Sequence, residues 1–131
     1  MINKFLTNEK GQALVEMAFV LPILLMLVFG ITEFGRILGA ELILSNSARE
    51  GARYAAVGAT DTEIVTKIKD TASFLDNTKL VISITPSESL RKRGDPVKVQ
   101  VQYPVEVYAP LISEITGDPY IAKGQSTMRM E

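Results

Sequence analysis

A chain of 131 residues can build one modest domain and a short appendage, and its 14 basic and 15 acidic side chains leave a formal net charge of −1, which gives no electrostatic pull toward nucleic acid. Histidine and cysteine are both absent, which removes disulfides, thiolate nucleophiles, imidazole bases and the zinc sites built on those ligands. Any catalysis would have to rest on Asp, Glu, Lys, Tyr or Ser.

The first element is an apolar run from Ala13 to Ile31, 19 residues long and free of charge between Glu16 and Glu33. At ~1.5 Å per residue it spans close to the ~30 Å of a bilayer core. A secretory signal would have a shorter run followed by a small-residue cleavage site, whereas this one continues into FGITEFGR. A buried core helix is a poor alternative, because so short a chain has little protein with which to surround it. The run therefore predicts a membrane anchor over 12–31. Lys4 and Lys10 precede it, which favours a cytoplasmic N-terminus and an extracytoplasmic domain over 32–131. Pro22 stands inside the run and removes one backbone hydrogen bond; it predicts a kink, although proline is also common in membrane helices for no special purpose.

Past the run the helical period continues. Phe34, Ile37, Leu38, Leu44, Ala48, Ala52 and Ala55 share one side and Arg36, Asn46, Arg49, Glu50 and Arg53 the other, with Glu41 an exception inside the apolar stripe. Gly58 can end the helix in a left-handed conformation, giving one rod from Gln12 to Val57, roughly 70 Å long. Gly35 and Gly39 form a small-xxx-small pair that would let another helix approach closely, with packing of these small residues against this chain's own sheet as the alternative.

Thr60 and Glu63 have capping-box spacing and open a second helix whose buried side is Ile64, Val65, Ile68, Ala72 and Leu75. From Lys79 the period becomes two. Leu80, Ile82 and Ile84 mark a first strand, and the alternation from Val97 to Val107 marks a second, in which Pro104 demands a local edge or a bulge. A short helical turn over Pro110 to Thr116 and a third strand over Tyr120 to Met130 complete the pattern. The expected fold is α+β: a long N-terminal helix, a second helix and a small antiparallel meander. Arg91, Lys92 and Arg93, between the first two strands, read as a solvated loop tip, with an anion or partner contact as the alternative. No phosphate-cradling loop, nucleophile with a base or supported carboxylate pair is present, so neither an enzyme, a cofactor nor a metal is expected.

The strings GQALVEMAFVLPILLMLVFGITEFGR and NSAREGARYAAVG, read in order over residues 11–58, are those of a prepilin-type leader and helix, and they resemble the TadE-like family of pseudopilins from tight-adherence (Tad) pilus systems. The resemblance implies a pilin-like fold, a leader over 1–11 and cleavage by a prepilin peptidase between Gly11 and Gln12. It also implies that Glu16, the fifth residue after that cut, pairs with the new α-amine of a neighbouring subunit during assembly. A carboxylate deep in a bilayer costs about 2.5–3.5 kcal/mol on insertion scales, less near the interface. A freed amine with a pKa near ~7.7–8.0 is largely protonated and supplies a partner. The rival reading of Glu16 is a snorkelling interfacial carboxylate. Arg49 and Arg53 lie in the family's REGARYAA segment and would contact either a partner subunit or the domain's own loops, with Gly51 permitting close approach.

The resemblance thus implies a minor pseudopilin, since main pilins of these systems are much shorter. It would act in pilus assembly or initiation for surface adhesion. Its partners would be other pilins and pseudopilins, the prepilin peptidase, the Tad assembly platform and the lipid bilayer. An uncleaved, membrane-anchored extracytoplasmic binding module, recruiting a strand to an open sheet edge, is the alternative.

Overall fold

The computed structural model of the chain describes residues 9–131; the expectations for Lys4 and the other leader residues over 1–8 fall outside that range. A single helix, α1, runs over Glu9–Ala56, 48 residues that include Pro22 without interruption, and at ~1.5 Å per residue it is about 72 Å long. It ends as the sequence predicts. Gly58 takes φ +84°, Gly58 N donates to Ala55 O at 3.1 Å and Ala59 N to Tyr54 O at 3.0 Å, which together satisfy two orphan carbonyls of the last turn.

Helix α2 (Asp61–Thr71) opens with the expected capping box: Glu63 N donates to Thr60 Oγ1 at 3.3 Å and Thr60 N to Glu63 Oε2 at 2.8 Å. Then follow β1 (Val81–Thr85), β2 (Pro96–Val105), the short helix α3 (Pro110–Thr116) and β3 (Tyr120–Arg129). The strands form one antiparallel sheet in the order β1-β2-β3, so the α+β meander is observed. Pro104 resolves as a local edge. The last β2 residue opposite β1 is Gln102, while β3 continues to Val105, so beyond Gln102 β2 has no partner strand on its β1 side, where a missing amide costs no ladder bond.

The core lies between the sheet and the C-terminal half of α1, with α2 alongside. Val97, Val99, Val101 and Val105 of β2 and Ala122 of β3 are buried against Leu44, Ala48, Ala52 and Ala55 of α1 and Ile64 and Ile68 of α2. Small residues along α1 set the spacing of the layers. A Cβ on Gly51 would come within 2.7 Å of Ile68 Cδ1, so Gly51 makes room for α2 of the same chain. A Cβ on Gly124 would overlap the backbone of α1 at Leu44 and Ser45, so β3 crosses α1 main chain to main chain.

Two expectations are corrected. Phe34 and Leu38, placed in the buried stripe by period alone, are 53% and 56% exposed; the buried face is Glu33, Ile37, Ala40, Leu44, Ser47 and Ala48 onward. The basic run is not uniformly solvated either. The Arg91 side chain is 3% exposed and ion-paired with Asp61; its Nε donates to Pro86 O at 3.1 Å and its Nη1 to Ala59 O at 3.2 Å. Lys92 and Arg93 are exposed. Glu88 adds a second tie from the same loop by accepting from Asp61 N at 3.0 Å, so the β1–β2 connection is clamped onto the start of α2.

Candidate functional site

Three features of α1 are candidates for function: its start, its unburied apolar stretch and the segment where it enters the domain. At the start, Gln12 Nε2 donates to Glu16 Oε1 at 3.1 Å, one helical turn apart, with both side chains exposed. Gly11 is half-buried and lies within the same helix, where glycine is a weak helix former. The Gly11–Gln12 bond and Glu16 are therefore on neighbouring turns of one surface-accessible segment.

The apolar stretch makes α1 the one helix among the described residues that is long and apolar enough to cross a membrane, and none of its most apolar window is buried. Leu14, Phe19, Ile23 and Ile31 all stand exposed. Those side chains lack a protein environment, and a bilayer supplies one of matching thickness. Thr32 at its end satisfies its hydroxyl by donating to Val28 O at 2.9 Å. Pro22 lies inside this stretch.

Where α1 enters the domain, its acidic residues acquire specific partners. Glu33 is 5% exposed; its Oε1 accepts from Arg36 Nη1 at 3.0 Å, and its Oε2 has no partner among the described residues. Arg36 in turn stands 4.8 Å over the Tyr108 ring. The Tyr108 hydroxyl donates to Glu106 Oε2 at 2.8 Å, and Lys79 Nζ is 3.6 Å from Glu106 Oε1. Tyr108's hydrogen bond, then Lys79's charge, holds the Glu106 carboxyl below its ordinary pKa, while the same bond raises that of Tyr108. Glu41, the exception in the stripe, accepts from the Tyr120 hydroxyl at 2.6 Å, and this bond raises the pKa of Tyr120. Sequence periodicity missed the burial of Glu33; its place at the head of the series Glu33, Ile37, Ala40 and Leu44, whose consecutive members are three or four residues apart, was the available signal.

The remaining predicted contact residues do not converge. A Cβ added to Gly35 or Gly39 would meet nothing within 4 Å, so both present open helix surface. Arg49 is exposed, and Arg53 Nη1 donates to Glu50 Oε1 of the same helix at 3.3 Å. Lys67 stands 5.5 Å over the ring of Tyr54 in the same segment. Among the described residues no group of three or more acidic side chains could hold a metal ion.

No curated protein and no solved structure matched the chain. A family model did, and its span falls entirely within α1, from the Gly11–Gln12 bond, across the unburied apolar stretch, to the alanine face that the sheet covers. That family is described as TadE-like protein and the match covers residues 11–53, so the chain is consistent with a TadE-like protein, a family associated with Tad pilus systems.

Proposed function

We propose that this chain is a TadE-like minor pseudopilin, anchored in the cytoplasmic membrane by the first half of α1 with its N-terminus on the cytoplasmic side. A prepilin peptidase cleaves it between Gly11 and Gln12, and it then acts in the assembly or initiation of Tad pili for surface adhesion. It is not an enzyme. The observation that supports this best is the arrangement of α1: a glycine, a glutamate five residues later, an unburied apolar stretch and a domain core follow one another along one unbroken helix.

The chemistry is that of a transferable ion pair. Cleavage creates a cation at the α-amine of Gln12, and Glu16 is the only anion between Lys10 and Glu33. In a low-dielectric setting a carboxylate and an ammonium from neighbouring subunits attract strongly and stay in register. Within one chain the Gln12 amide already occupies Glu16 Oε1, so the neighbour's amine would share or replace that bond.

Intact-mass measurement of the protein purified from cells with and without a prepilin peptidase tests this reading. Loss of residues 1–11 only when the peptidase is present is the expected result. A chain that keeps Met1 to Gly11 in its presence would overturn the mechanism and favour the uncleaved binding module.

A further inference from the structure

Apolar surface is not confined to α1. Helix α3 lies beside the outer end of the candidate anchor: a Cβ on Gly30 would sit 3.8 Å from Ile112 Cδ1. An open apolar groove of about 1040 Å³ runs between the two, lined by Ile31, Phe34 and Leu38 on one side and by Ala109, Leu111 and Ile112 on the other. Gly30 and Ile31 close the apolar run that spans the bilayer. An element packed against them stands at the lipid boundary and not in bulk water.

The composition of α3 suits that boundary. Leu111 is 54% and Ile115 82% exposed, and their four-residue spacing puts them on one side of the helix. Its hydroxyls are satisfied internally: Ser113 Oγ donates to Pro110 O and Thr116 Oγ1 to Ile112 O, each at 2.9 Å. Polar groups already bonded lose little on leaving water. Glu114 is its one charged residue and is exposed, on a flexible stem that can reach back to water. Beside α3, Arg36 over the Tyr108 ring places a cation and an amphipathic aromatic where bilayer interfaces select such residues.

We propose that α3 is a second, monotopic membrane contact: Leu111 and Ile115 sit among the acyl chains of the leaflet on the domain's side, and acyl chains fill the groove between α3 and α1. The domain then rests on the bilayer at a fixed height instead of standing clear of it. This rests on α1 being a membrane anchor, and continuity of the groove with that anchor is what selects lipid as the occupant.

The chain has no cysteine, so single cysteines can carry a spin label without background. Full-length Ile115→Cys, Leu111→Cys, Met26→Cys and Phe74→Cys would be labelled in turn and reconstituted in phosphatidylcholine vesicles. Relaxation by oxygen, which concentrates in lipid, is compared with relaxation by a water-soluble nickel chelate. Phe74 is 90% exposed on the domain and Met26 lies on the apolar stretch, so they mark water and lipid. The expected result is an oxygen-to-nickel ratio at Ile115 and Leu111 several-fold above that at Phe74 and close to that at Met26. Met26 in lipid with Ile115 and Leu111 matching Phe74 would overturn the contact and leave the anchor standing. Met26 matching Phe74 would overturn both. Protection of Ile115 from both reagents would mean that protein covers α3, and would also overturn the proposal.

Discussion

Gly124 of β3 lies against the main chain of α1 at Leu44, with no space between them for even a methyl group. The sheet is held to the helix at backbone distance, and Gly124→Ala must push them apart. Overpacking of this kind costs about 1–3 kcal/mol or more, and the thermal midpoint of a domain this size falls by roughly 4–8 °C per kcal/mol. Thermal melts in detergent should show that loss. Gly35→Ala is the control: it meets open space, gains up to ~1 kcal/mol of helix propensity and should not lower the midpoint.

Arg91 should dominate its basic run energetically. Arg91→Ala strips two carbonyls, Pro86 O and Ala59 O, and the Asp61 carboxylate of their shared donor; leaving such acceptors unmade costs about 2–4 kcal/mol in all. Lys92→Ala and Arg93→Ala should stay within ~0.5 kcal/mol of the parent. Arg91→Lys should recover only part of the loss, because an ammonium cannot present a planar fork to three acceptors. Urea unfolding of the four variants checks the order.

Alkaline pH should loosen the joint between α1 and β3. The bond to Glu41 raises the pKa of Tyr120 above its ordinary 10.0, so the folded chain holds this proton after the unfolded chain has released it. That contribution is complete below pH ~10 and declines as pH rises through the folded-state value. Tyr120→Phe removes it, so the difference in melting temperature between parent and variant should be constant below about pH 10 and shrink as the pH rises beyond it. A constant difference would show that the bond contributes nothing.

If the chain is cleaved and assembled as proposed, Glu16→Ala should separate maturation from assembly. Membrane insertion and the mass of the cleaved chain should be unchanged, because the substitution makes the apolar run more apolar and leaves Gly11 in place. Co-purification with other pilus subunits should fall. Normal assembly of Glu16→Ala would show that the predicted pairing with a neighbour's amine is wrong.

Much of this was legible in local chemistry. The capping box at Thr60 and Glu63, the stop at Gly58 and the alternation of β2 each depend on residues close in sequence, and each appears where the sequence puts it. Position 34 was misread because α1 changes environment along its length: Phe34 and Leu38 continue the lipid-compatible surface, whereas the sheet-facing stripe follows small residues such as Ala40 and Ala48. A period fixes which residues share a side, but tertiary contact decides which side is covered. Arg91 was misread for a similar reason, since its partners Ala59 and Asp61 lie 32 and 30 residues away and no local pattern joins them. Gly124 was silent in sequence. Only the crossing of β3 over α1 gives it meaning.

One consequence of α1 is mechanical. The segment that would sit in the bilayer and the segment that fills the core are the same 48-residue helix, with no linker between them to absorb displacement. A pull or twist applied near Glu16 is passed along one continuous helix to Leu44, where β3 lies against the helix backbone, and to Gly51, where Ile68 of α2 does. A force acting on the N-terminal part of this helix would thereby move the domain at its other end as a lever moves its load.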